Sequence, residues 1–333
     1  MERTVGFYRL LQIYLGENNM EKNSIENCIN NIENDKLKSI VKKLYAGRFL
    51  YLLALPTIAW YILFRYFPIY GIKYAFQNIG VSPNPKFIGF RNFILLFSMP
   101  EFLDVLRNTI LISLYKIVWR FPMTIILALM LNDVKNSMLR RSFQTIVYLP
   151  HFLSWVIIGG LWFNFLSPAI GPVNAVIKYF GGDPVYFWIQ KKYFRSLLVI
   201  TDIWKGMGYG TILYLATLSG VDLQLYEAAT VDGAKKFKQM WYITLPALKS
   251  VMVITFIFSF AGILDIFEQV FVLINPLVKE VGDVIDTYTY YTGISRMNVG
   301  FGTAVGLFKN AVGLILMLST NALAKWLTGE SFF

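Results

Sequence analysis

The chain has 333 residues, of which 56% are hydrophobic, 17% aromatic and only 15% charged. A soluble domain carries about a quarter charged residues, and the apolar runs here exceed the roughly 20 residues that cross a bilayer, so a soluble protein is excluded and a polytopic, all-α membrane protein is expected. The formal charge of +11 reads as membrane topology and not as nucleic-acid binding, because no nucleic-acid motif occurs and the basic residues interrupt apolar segments.

Residues 1–47 read as a mixed-charge, Asn-rich cytoplasmic tail, in which Val5 to Leu15 is amphipathic enough to lie on a membrane surface. No cleavable leader is visible, so the first spanning helix is expected to serve as the insertion signal. A single cysteine, Cys28, rules out an intrachain disulfide. One histidine, His151, without a cluster of Cys or carboxylate neighbours, predicts no metal site; it is read as an interfacial residue at a helix entry. Apolar periodicity predicts six spans, at about 48–70, 105–132, 143–166, 195–219, 247–275 and 304–327. Residues 48–103 then hold the first span and an outer loop, and 104–333 form a five-helix core. Lys and Arg gather in the tail and around 135–141 and 235–249 more than in the opposite loops, which places both termini in the cytoplasm. The outer loop 167–194 has turn chemistry at Gly171-Pro172 and Gly181-Gly182-Asp183-Pro184. Its aromatics Tyr179, Phe180, Tyr186, Phe187 and Trp188 suit the membrane interface or a mouth that receives a partner.

Between the fourth and fifth spans the chain reads Glu227-Ala228-Ala229-Thr230-Val231-Asp232-Gly233-Ala234, then Ile243-Thr244-Leu245-Pro246. Asp222 is a candidate N-cap for a short helix, Gly233 allows a turn that a β-carbon resists, and Pro246 suits the first turn of the next helix. A short helix with the small face Ala228-Ala229 can lie in a groove of another protein or be an ordinary connection. The pattern resembles the cytoplasmic signature of binding-protein-dependent ABC importer permeases of the type I fold. Glu227, Ala228, Ala229, Gly233, Ile243, Leu245 and Pro246 take its fixed positions, and Asp232 and Ala234 fit its common extension. Phe67-Pro68-Ile69-Tyr70-Gly71, Phe87-Ile88-Gly89-Phe90-Arg91-Asn92-Phe93, Leu149-Pro150-His151-Phe152-Leu153-Ser154-Trp155 and Thr303-Ala304-Val305-Gly306-Leu307-Phe308-Lys309 look like its oligosaccharide and heteropolysaccharide branch, similar in plan to maltose-type permeases.

The resemblance covers about residues 45–333. It implies a coupling helix seated on a cytosolic ATP-binding subunit, a second homologous permease, two such ATP-binding subunits carrying ATP and Mg, and an external sugar-binding protein, lipid-anchored, that delivers an oligosaccharide. The location it implies is a bacterial plasma (inner) membrane. No G-x-x-x-x-G-K-[S/T] occurs, so the phosphate cradle of an ATPase is missing; the chain is expected to be no enzyme and to bind no cofactor itself.

Ionisable residues at bilayer depth line cavities or pair with each other. Lys116 and Arg120 share one face of the second span at i, i+4, Asp265 and Glu268 one face of the fifth at i, i+3, and Lys309 and Asn310 lie in the sixth. Lys116, Asp265 and Lys309 are each about 14 Å from the outer ends at 1.5 Å per residue and are expected in one layer. With a sugar as cargo, Asp265, Glu268, Gln269 and Asn310 would hydrogen-bond its hydroxyls, and Trp162, Trp204 or Tyr214 would stack on its rings. The competing readings are interhelical salt bridges that fix packing, and an ion-coupled secondary transporter using Lys116, Asp265 and Glu268. Gly159-Gly160, Gly206, Gly208 and Gly210 are read as helix-packing positions.

Overall fold

The computed structural model describes Ser39, Lys43 and residues 47–80 and 85–328. The tail expected at 1–47, with Val5–Leu15 and Cys28, lies outside them apart from Ser39, Lys43 and Gly47. Among the described residues the chain is all-α, apart from extended pairing around 77–87 that includes an isolated antiparallel bridge between Gln77 and Phe87. The chain divides between Gly71 and Ile72 into two compact units. In the first, α1 (Arg48–Tyr61) contains Pro56 and continues through a π turn, Ile62–Tyr66. Its residues are apolar on every side, the pattern of a helix surrounded by lipid or by other helices.

The second unit is built on α2 (Pro100–Asp133), α3 (Ser137–Tyr148), α4 (Trp155–Phe165), α5 (Lys191–Ser219), α6 (Leu223–Val231), α7 (Lys249–Ala261), α8 (Phe267–Leu273) and α9 (Val299–Thr328). Helices α2 and α5 run side by side. Ile112 packs with Phe194, Leu197 and Leu198, and further along Ile125 and Ala128 pack with Tyr214 and Leu218. At the other end of α2, Phe102 and Val105 meet Ile285 and Tyr288 and then Phe301 and Val305 of α9. The α5 glycines allow close approach, as expected. A β-carbon on Gly208 would lie 1.9 Å from the Val147 carbonyl oxygen of α3, and one on Gly206 would lie 2.5 Å from the Arg120 guanidinium.

The segment Phe49–Phe76, α2 and Val299–Ala322 are each long and apolar enough to cross a membrane, and two bent helix pairs bring the number to as many as five. Helix α5 has the length but carries Lys191, Lys192, Arg195, Asp202 and Lys205. Two expected spans are not single helices. The one drawn at 143–166 bends by 107° between Phe152 and Trp155. Pro150 cannot extend the α-helical ladder, residues Leu149–Phe152 tighten into a 3₁₀ turn, and Ser154 restarts the chain as an N-cap, its hydroxyl accepting from the Ile157 amide at 3.3 Å.

The span drawn at 247–275 is likewise broken. Helix α7 stops at Ala261, Gly262 caps it, and α8 starts only at Phe267. The Ile266 amide donates to Asp286 Oδ2 at 3.3 Å, a partner from elsewhere in the chain in place of a helical carbonyl. Asp265 and Glu268 therefore do not share a helical face: Asp265 sits in the break and Glu268 in the first turn of α8.

Candidate functional site

Two regions of the second unit carry the expected residues. The first is the segment from Asp222 to Pro246. Asp222 Oδ1 accepts from the Gln224 amide at 2.9 Å and caps α6. The helix ends in a Schellman turn, with the Ala234 amide donating to Ala229 O at 2.8 Å and the Gly233 amide to Thr230 O at 3.0 Å. Gly233 has φ +76°. A β-carbon built there meets nothing within 4 Å, so glycine answers a backbone requirement and not a shortage of room.

Residues on both sides of that turn are tied together. Gln239 Nε2 donates to Thr230 Oγ1 at 2.8 Å and to Ala234 O at 3.1 Å, and the Tyr226 and Thr244 hydroxyls meet at 3.0 Å. Lys236 Nζ forks to both oxygens of Asp133, at 2.7 and 2.9 Å, at the end of α2. Leu245 packs on the cluster of Ile125, Tyr214 and Leu248, Ile243 is half-buried, and Pro246 lies in the short helix Leu245–Ala247. Outward the segment shows Leu223, Leu225, Val231, Phe237, Trp241 and Tyr242, with Glu227, Ala228 and Asp232 also exposed. Exposed apolar side chains gathered on one short segment mark a contact surface. Replacing Asp222 by Ala removes the cap at a cost of about 1 kcal/mol; the expected reading is roughly fivefold faster hydrogen exchange at the first amides of α6, confined to that helix.

The second region is a pair of cavities, about 520 Å³ and 360 Å³, whose walls share Lys116, Asp202, Asp265 and Ile266. Asp202 of α5 accepts from Lys116 Nζ at 3.3 Å through Oδ1 and from Arg120 at 3.3 Å through Oδ2. Lys309 of α9 reaches Asp265 Oδ1 at 2.6 Å and Asp286 Oδ1 at 2.5 Å. Six charged side chains held this way give a polar interior among apolar helices, suited to a polar solute.

The pairing departs from the expected layer in several places. Lys116 and Lys309 do not face Asp265 and Glu268 together; Asp202 and Asp286 take up most of the positive charge. Glu268 is exposed on the wall of the smaller cavity and forms no salt bridge among the described residues. Lys116, Asp265 and Glu268, the expected ion site of a secondary transporter, all line the smaller cavity, but Lys116 pairs with Asp202, Asp265 with Lys309, and Glu268 with neither. Gln269 lines the smaller cavity and is 2% exposed; its Nε2 is held by α5, donating to Leu198 O at 2.6 Å and Thr201 Oγ1 at 2.8 Å, while its Oε1 has no partner among the described residues. Tyr214 lines the larger cavity as expected, but it is 1% exposed and its hydroxyl is 2.6 Å from Thr255 Oγ1, so little of its ring is open for stacking.

Trp162 and Trp204 meet edge to face at 6.0 Å on a different cavity with Leu161 and Phe165. Asn310 is exposed on α9 and lines neither charged cavity. Trp188, expected at the interface or mouth, is buried in the core. Besides Phe267, the aromatic residue that lines the smaller cavity is Trp155. It sits 5.3 Å from Lys205 Nζ, which donates to the His151 and Leu153 carbonyls and so fills the acceptors freed by the bend before α4. The His151 ring stacks on Tyr209 at 3.8 Å.

Asp202, Lys205 and Asp286 were not among the expected site residues. The first two carry the same signal as Lys116, a charge inside a long helix. Asp286 carries none, because it lies in a stretch without clear periodicity.

Residues 120–329 match the family described as the binding-protein-dependent transport system inner membrane component. The chain is 40% identical over 304 residues to the polygalacturonan/rhamnogalacturonan transport system permease protein YteP of Bacillus subtilis, covering 90% of this chain and 94% of that one. It is 39% identical over 292 residues to protein LplB of the same organism, covering 86% and 91%. Its structure is similar to a chain of a bacterial ABC transporter involved in the import of the acidic polysaccharide alginate, with TM-score 0.81, 37% identity and coverage of 87% and 99%.

Proposed function

Since the chain belongs to the family of binding-protein-dependent transport system inner membrane components and is a permease subunit of an ABC importer for sugars, we propose that its cargo is an oligosaccharide carrying carboxylate groups. Two of the proteins it is similar to handle acidic polysaccharides, polygalacturonan and alginate. A similar transporter has been crystallised with a periplasmic protein bound to an alginate pentasaccharide, which supports delivery by an external binding protein, lipid-anchored in the present reading.

The chain forms half of the path and pairs with a second homologous permease. Two cytosolic subunits bind ATP and Mg and hydrolyse the nucleotide; this chain supplies no catalytic group. Six spans, with both termini in the cytoplasm, place the Asp222–Pro246 segment on the ATPase side. Nucleotide-driven closure of those subunits pulls on α6. The Lys236–Asp133 ion pair and the Leu245 packing carry the displacement to α2 and α5, which wall the charged cavities, and the spans rock between outward and inward openings. Cargo and nucleotide must bind those states unequally for this cycle to turn.

The observation that carries the reading is the capped, glycine-ended helix with an exposed apolar face, joined to the helices around the cavity. Its test is cross-linking from Ala228→Cys in a Cys28→Ser background, followed by mass spectrometry of the adduct from native membranes. The expected adduct is a cytosolic ATP-binding protein. A residue-228 thiol labelled from the cell exterior, or an adduct with no cytosolic protein, would overturn it.

A further inference from the structure

Two carboxylates share one ammonium at the break between α7 and α8, and they are not equivalent. Asp286 is held from two sides: Oδ1 accepts from Lys309 Nζ at 2.5 Å and Oδ2 from the Ile266 amide at 3.3 Å, and its side chain is only 15% exposed. Among the described residues Asp265 has no such second hold. Its side chain is 73% exposed, it belongs to neither helix, and its polar side-chain partner is the same Lys309 Nζ at 2.6 Å. Lys309 itself is 16% exposed. Asp265 stands where both charged cavities meet, and Lys309 and Asp286 line the smaller one.

An exposed ion pair contributes little and exchanges readily, whereas a buried and multiply bonded one does not. We infer that Lys309 is a carboxylate-binding site on the path, held in the empty permease by the chain's own Asp265, which a carboxylate of an acidic sugar displaces. Asp286 stays in place and keeps Lys309 aimed at the cavity. A neutral sugar brings no anion to exchange and meets the Asp265–Lys309 pair closed. The site thereby selects charged units over neutral ones, by competition between the cargo and a tethered mimic of it. Because Asp265 sits within the break between α7 and α8, its release removes one tie of that break, the Ile266–Asp286 bond being another. This inference rests on the proposed transport function and adds the group that reads the substrate's charge.

The test is uptake by the whole importer in proteoliposomes with its external binding protein. The probes are trigalacturonate and its carboxyl-reduced counterpart, and the readout is the ratio of their rates below saturation. The binding protein is the same for every variant, so its own preference cancels when variant and wild-type ratios are compared. Asp265→Asn removes the competitor and is expected to raise the acid-to-neutral ratio about two- to fivefold. Lys309→Gln removes the site and is expected to bring the ratio below the wild-type value. If either substitution changes both probes equally or neither, the pair is structural and the inference is overturned. A wild-type importer that prefers trigalacturonate while both variants keep the wild-type ratio overturns this inference alone; one that carries the neutral probe but not trigalacturonate overturns the acidic-cargo reading with it. Uptake of neither probe overturns the cargo reading together with it.

Discussion

Gly233→Val is expected to stop ATP-driven uptake while leaving the chain in the membrane at its normal level. The residue sits at φ +76° directly after the Schellman turn that ends α6. A β-branched residue there costs about 1–3 kcal/mol of backbone strain, and open space around the β-carbon position gives no relief, because the penalty is local to the backbone. The turn relaxes, the Ala234–Ala229 bond is lost, and the clamp from Gln239 to Thr230 and Ala234 loses its register. The apolar face of α6 is then presented at the wrong angle to its partner. The spans do not depend on this turn, so insertion survives. Uptake in cells should fall by at least about tenfold, the change that 1.4 kcal/mol makes in an equilibrium. Gly233→Asn is the control, since asparagine tolerates the left-handed region and should keep most activity. Equal activity of the Val and Asn variants would mean that the turn's conformation is irrelevant to coupling.

Asp202→Ala should be the most destabilising single change among the charged residues of the bundle. Lys116 and Asp202 are about nine-tenths buried, with side chains 10% and 11% exposed, and Arg120 shares the same carboxylate. Removing Asp202 leaves two cations close together, one of them buried without a counter-charge. Breaking a buried pair from one side costs about 3–5 kcal/mol. Replacing both partners, as in Lys116→Met with Asp202→Leu, removes the stranded charge and should recover most of the loss, because a buried pair is often no better than apolar residues of similar volume. Thermal unfolding of the complex in lipid nanodiscs separates the two cases. A single Asp202→Ala variant that melts within about 2 °C of wild type would show that the pair carries no stability, and the double variant would then have nothing to rescue.

The sequence by itself determined the class, the family and the local chemistry of the Asp222–Pro246 segment. Each of these is written in a short stretch of chain. Apolar runs report bilayer crossing. Asp222 before α6 reports a cap, and Gly233 after it reports a left-handed turn. These properties need no distant neighbour, and the structure shows the cap and the turn as read. The broken third and fifth spans were half-legible: Pro150, Ser154 and Gly262 are the residues that break them, but hydropathy averages over a window and passes across a break of a few residues.

The partners of the intramembrane charges were decided only by the tertiary structure. Lys116 shares its helix with Arg120, yet its counter-ion is Asp202 of α5; Lys309 is bound by Asp286, which no helical pattern distinguishes. Tyr214 and Gln269 look available from their spacing and are buried by α7 and α5. Which ions meet, and which rings are covered, depends on how helices far apart in the chain rotate against each other. That rotation is set by packing such as Gly208 against the Val147 carbonyl, a contact with no expression in either segment taken alone.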